Sequence, residues 1–142
     1  MTETISFTIP GIPVGKGRAR FARRGKFMAS YTPEKTVNYE ALVKMCCSEA
    51  YKGEPMVGPI RLSIRAYFPI PKSMKKALRL SAESERLPVT KKPDVDNVAK
   101  ICADAMNGIA FVDDAQVSDL YCIKRYSPNP RVEVQFYSLE VA

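Results

Sequence analysis

Between Lys92 and Gln116 the chain reads KPDVDNVAKICADAMNGIAFVDDAQ, and this stretch places two opposed demands on one short helix. Val98, Ile101, Cys102, Ala105 and Ile109 recur at helical spacing and form an apolar face that has to be buried. Asp96, Lys100 and Asp104 follow one another at steps of four, so the other side is charged along its length. Such a helix lies with one side on a core and the other side open. Pro93 biases Lys92 toward extended angles. Asp96 or Asn97 can cap the first turn, and Asn107-Gly108 supplies the C-terminal stop.

After that stop, Ile109-Ala110-Phe111-Val112 reads as a short buried strand, or the approach to one, that delivers Asp113 and Asp114. If it lies beside the helix start, Asp94, Asp96, Asp113 and Asp114 meet at one point. Such a cluster is costly unless a cation neutralises it. Mg²⁺, with Mn²⁺ as a substitute, suits carboxylate oxygens best. The positive end of the helix dipole keeps Asp94 and Asp96 ionised, and Lys100 stands one turn further on. Each half also has an ordinary reading, as a helix start and as a turn; the two together, with the lysine, favour a metal site. An EF-hand is excluded, because Val98 and Ala99 stand where a ligand and a glycine are needed. An aspartyl-nucleophile phosphatase needs an apolar strand before the acids, and Thr90-Lys91-Lys92-Pro93 makes a poor one.

The extended stretch KKPDVDNVAKICADAMNGIAFVDDAQV resembles the signature of the RusA family of Holliday junction resolvases: K-P-D-x-D-N-x-x-K, then D-A-hydrophobic-N-G, then D-D-x-Q. The N-terminal PGIPVGKGRARF and the later YTPEKT are similar to the opening of many members. The resemblance implies a small homodimeric, Mg²⁺-dependent endonuclease that resolves four-way DNA junctions by paired symmetric nicks in recombination and repair. It implies Asp94, Asp96 and Asp114 as essential acids and metal ligands, and Lys100 as the catalytic lysine. Asp113 is left between a ligand, a supporting group and a turn former. Products with a 3′-hydroxyl and a 5′-phosphate are expected.

The rest of the chain fits a polyanionic partner. The net charge is +7 and the pI about 9.3. Lys16, Arg18, Arg20, Arg23, Arg24 and Lys26 form a basic run over residues 14–28 without one balancing acid. Charge runs are often solvated loops, but this one reads as a DNA-binding loop, with phosphate contacts from its cations and Phe21 or Phe27 against exposed bases. Lys91 and Lys92 add positive charge beside the acids. The absence of histidine excludes Ser-His-Asp catalysis and His-ligated zinc. Cys46, Cys47, Cys102 and Cys122 lack a C-x-x-C spacing and read as reduced core residues of a cytoplasmic protein. No apolar run is long enough for a membrane span.

Alternation predicts strands at Ile5–Ile9, Ile60–Phe68 and Val132–Phe136, with another over Val117–Tyr126. Thr32-Pro33-Glu34 opens a helix whose apolar face is Tyr39, Leu42, Val43, Cys46 and Ala50, and Ser73–Ser81 reads as a short basic helix. The expected architecture is α+β: one RusA-like domain over residues 1–142, a mixed sheet covered by helices, with the metal-site motif at 92–116. Two rival functions remain. A non-catalytic basic dimer that binds DNA junctions accounts for the charge but not for the acids. A nucleotide phosphotransferase lacks its phosphate loop, since Gly15-Lys16-Gly17 precedes no clear helix. If the basic run grips phosphates, Arg18→Ala and Arg20→Ala should each weaken DNA binding and flatten its salt dependence by about one unit of log–log slope per lost contact. An unchanged slope in a titration from low to high salt would remove the run from the interface.

Overall fold

The structure is a computed structural model. It describes residues 3–17, 25 and 34–141 in full, and 20–24 and 27–31 as backbone. Alternating apolar residues build its sheet. Ile5, Phe7 and Ile9 point inward from β1 (Ile5–Pro10), and Val132, Val134 and Phe136 do so from the C-terminal strand Arg131–Ser138. Ile60, Leu62, Ile64 and Ala66 are fully buried on the strand Ile60–Pro69. Numbered in chain order, the strands are β1, β2 (Arg20–Arg24), β3 (Phe27–Tyr31), β4 (Ile60–Pro69), β5 (Val117–Ser127) and β6 (Arg131–Ser138). Four of them form a mixed sheet in the order β1-β6-β4-β5. β1 and β4 run antiparallel to β6, while β4 and β5 are parallel.

That parallel pair positions the acidic motif. Parallel neighbours need a crossover that carries the chain back along the sheet. Here it contains α2 (Lys76–Glu83), α3 (Val95–Met106) and a single 3₁₀ turn, Asp114–Gln116. α3 buries Val98, Ala99, Ile101, Cys102, Ala105 and Met106, packing on β5 and on α1 (Glu34–Ala50), which in turn covers β1. The architecture is the α+β mixed sheet with helices that the sequence implies.

Three local expectations are corrected and a fourth is narrowed. The segment 14–28 is not a plain loop: Arg20–Arg24 and Phe27–Tyr31 pair as an antiparallel hairpin, turning at Gly25 with φ +62°. Arg18, Lys26, Thr32 and Pro33 lie outside the described residues. Ile109–Val112 is the approach to a strand and not the strand itself: Phe111 makes only isolated bridges to Met56 and Asn107, the Gly108 amide donates to the Phe111 carbonyl at 2.7 Å, and Gly108 takes φ +79°, which a residue without Cβ adopts freely. Four apolar residues are too few to distinguish a strand from a plug, and Ala110 and Phe111 plug the core at 0 % exposure. α1 buries Thr36 and Cys47 rather than Cys46 and Ala50, so its inner face is rotated from the one expected. The basic helix α2 begins at Lys76 instead of Ser73.

Phe111 is the plug beneath the acidic turn. Phe111→Ala is expected to cost about 3–5 kcal/mol of stability, whereas Val112→Ala, at an exposed neighbour, should stay within about 0.5 kcal/mol. Urea unfolding of the two variants checks this, and equal midpoints would contradict it.

Candidate active site

The burial of one side of α3 turns its other side outward. Asp96 and Lys100 line a cleft of about 300 Å³ together with Asp114, over a floor that includes Leu62, Ala103 and Leu120. Three of the expected catalytic residues therefore share one cleft. Asp94 is the N-cap residue of α3, yet its side chain makes no capping hydrogen bond. Its exposed carboxylate is left available at the positive end of the helix dipole. Lys100 is 61 % exposed, enough to reach an incoming phosphate.

Asp113 is built into the turn. Its Oδ2 accepts from the Ala115 amide at 3.1 Å, and its own amide donates to Gln116 Oε1 at 2.9 Å. This is a capping box on the 3₁₀ turn. Gln116 Nε2 donates to the carbonyls of Met56 and Gly58, at 2.9 Å each, and ties the turn to the loop before β4. The D-D-x-Q pattern thus divides its labour: Asp113 and Gln116 build the turn, and Asp114 is presented by it. A register shift between β4 and β5 follows immediately, at Ile60/Arg61; such irregularities re-aim a strand beside a site.

Lys124 is turned onto the main chain that precedes Asp94. It is 9 % exposed, and its ammonium donates to the carbonyls of Lys91 at 2.6 Å and Pro93 at 2.9 Å. It braces the segment that delivers Asp94, and the Val89 and Tyr126 amides, bonded to the Lys124 and Leu87 carbonyls, fasten the preceding residues along β5. Its isolated lysine code gave no sign of this, because the partners are main-chain groups brought up by the crossover. Lys91 and Lys92 themselves are exposed.

The residue that sequence reasoning left out of the site is Asp104. Its carboxylate lies 3.3 Å from Lys16 Nζ and 3.9 Å from Lys100 Nζ, and it stands beside Asp114. Burial pushes the Asp114 carboxyl above the ordinary aspartate value; the neighbouring Asp104 and then Asp113 push the same way, and Lys100 opposes them. The step of four from Lys100 was the available signal. Lys16, expected on DNA, has its ammonium engaged by Glu40 and Asp104.

The cysteines carry no chemistry here. All four are free, and burial pushes Cys47 and Cys122 up to about 11 and Cys102 to about 12, so their thiols stay protonated near neutrality. The acids offer the all-oxygen donor set of a hard divalent cation, and the close Asp104–Asp114 contact is one that a cation relieves. Among the described residues no three acids are gathered closely enough to hold an ion together, so the single meeting point expected from the sequence is not seen. No helix among the described residues is long and apolar enough to cross a membrane.

The chain is similar to known proteins over most of its length. The family model described as Endodeoxyribonuclease RusA matches residues 10–137, from the end of β1 into β6. The chain is 36 % identical over 134 residues to the uncharacterized protein YqaN of Bacillus subtilis (strain 168), covering 93 % of this chain and 94 % of that one.

The raised Asp114 carboxyl has a stability consequence. An acid that holds its proton more tightly when folded loses stability as pH rises from the ordinary aspartate range through its raised value. In metal-free protein, Asp114→Asn should therefore raise the unfolding midpoint at neutral pH and flatten its dependence over that acidic window. Asp113→Ala should instead cost about 1 kcal/mol through its lost cap. Denaturant melts at pH 4 and pH 7 separate the two, and destabilisation by Asp114→Asn at pH 7 would contradict the sign.

Proposed function

Because the chain belongs to the RusA family of endodeoxyribonucleases, we propose that it is a Mg²⁺-dependent Holliday junction resolvase acting as a single-domain homodimer in the cytoplasm, in DNA recombination and repair. The observation that carries this reading is the cleft shared by Asp96, Lys100 and Asp114 at the open side of α3. Binding of the ion would draw Asp94 toward Asp96 and Asp114 of the cleft as its ligands, and Mn²⁺ could substitute for it. The chemistry such an ion supplies when bound is polarisation of the scissile phosphate and acidification of a water.

The side chains do the remainder. Lys100 reaches into the cleft from the exposed side, where its fixed charge stabilises the extra negative charge of the transition state. Asp113 and Gln116 keep the turn rigid under Asp114, and Lys124 holds the main chain before Asp94. The hairpin arginines Arg20, Arg23 and Arg24, with Arg18, Lys26, Lys91 and Lys92, contact phosphates and fix the DNA in register. A four-way junction has near two-fold symmetry, and a two-fold dimer presents two related clefts to two strands, which gives paired nicks.

Asp96→Asn tests the assignment. Removing one ligand charge should abolish cleavage while junction binding is kept or tightened, since negative charge near the phosphates falls. Cleavage gels and mobility shifts on the same variant read both. Equal loss of cutting and binding in a normally folded protein would count against Asp96 as a ligand. Tight junction binding by the wild type without cutting, in Mg²⁺ and in Mn²⁺, would favour a non-catalytic junction-binding protein.

A further inference from the structure

Lys16 sits at the start of the basic run, where a phosphate contact is the natural expectation, but the geometry gives its ammonium other partners. It forms ion pairs with Glu40 on α1 and, at 3.3 Å, with Asp104 on α3. The three side chains are only 23 %, 19 % and 24 % exposed, so solvent screens these pairs less than it screens pairs on an open surface. Burial alone would lower the lysine pKa, yet its hydrogen bonds to Glu40 and Asp104 and their negative charges together outweigh it and leave the pKa raised. A charge held in this way is not free to follow a DNA backbone.

The main chain around Lys16 is fastened as well. Its amide donates to the Asn97 carbonyl of α3 at 2.9 Å. The next amide, Gly17, donates to Thr36 Oγ1 on α1 at 3.2 Å. Gly15 lies so close to Pro93 that an added Cβ would stand 2.5 Å from the ring Cβ, so only glycine lets this segment seat against the motif. Residues 15–17 thus join α1 and the acid-bearing helix at one place. From there Asp104 leads directly to Lys100 and Asp114.

We propose that Lys16 is a positioning residue of the acid site: it fixes Asp104, and through Asp104 sets Lys100 and Asp114. This rests on the nuclease reading above. It assigns Lys16 to turnover, whereas a phosphate contact would assign it to affinity.

The test compares Lys16→Met, which keeps length and removes charge, with Lys16→Arg, on a synthetic four-way junction in Mg²⁺. Lys16→Met should cut roughly ten- to a hundred-fold more slowly at saturating protein, as expected for a misplaced catalytic group. Its junction affinity and salt slope should match the wild type, and Lys16→Arg should recover most of the rate. A weaker affinity with a salt slope reduced by about one unit would make Lys16 a phosphate contact and overturn the proposal; so would an unchanged rate.

A double-mutant cycle of Lys16→Met and Asp104→Asn on unfolding in urea needs no DNA. The double variant should lose clearly less than the sum of the single losses, and simple additivity would overturn the link. If the wild type itself cuts nothing, the nuclease reading fails, and the cycle still judges the Lys16–Asp104 link by itself.

Discussion

The parallel pairing of β4 and β5 is the constraint on which the rest depends. It obliges the chain to return along the sheet, and α3 is the segment that returns. Its inner face, with Val98, Ile101, Cys102, Ala105 and Met106 all at 0 % exposure, is part of the core. The outer face can then carry charge at little cost, because those groups keep their solvent. The same crossover ends in the capped turn that presents Asp114 immediately before β5. Helix side and turn face one cleft because both belong to one connection.

The acids sit in a protein of net charge +7. That balance favours approach of a polyanion, yet a phosphate must still come close to carboxylates. The positive groups around them therefore have separate tasks. Lys100 is exposed at the cleft, Lys16 is held between Glu40 and Asp104, and Lys124 is turned onto main-chain carbonyls. The lysine code is the same in all three cases, and only the surroundings decide which charge can meet a substrate. The raised Asp114 carboxyl is the stability cost of this arrangement, as acids assembled for binding commonly carry.

The legible part of the sequence was what periodicity encodes. Alternation found β1, β4, β5 and β6, and helical spacing found α3 with its stop at Asn107-Gly108. The motif placed Asp96, Lys100 and Asp114 together. What stayed hidden depended on partners distant in the chain. Asp104 looked like one more charge on a solvated face, because its neighbours Lys16 and Asp114 arrive from other elements. The role of Lys124 stayed hidden because a main-chain carbonyl leaves no trace in a residue code. The hairpin was hidden by its own composition: six cations and three glycines in residues 14–28 obscure any alternation. Ile109–Val112 stayed open between a strand and its approach because a buried plug and a short strand share the same apolar letters. On α1, adjacent Cys46 and Cys47 left the rotation of the helix open by one position.

The central claim is that the acid cleft and the basic hairpin together make a metal-dependent, branch-selective nuclease. The most direct measurement is cleavage of an immobile four-way junction beside linear duplex of the same sequence, with Mg²⁺ and with chelator. Paired, symmetric nicks in the junction alone, and only with Mg²⁺, are the predicted result. Equal cutting of both substrates, or cutting that persists in chelator, would contradict the account.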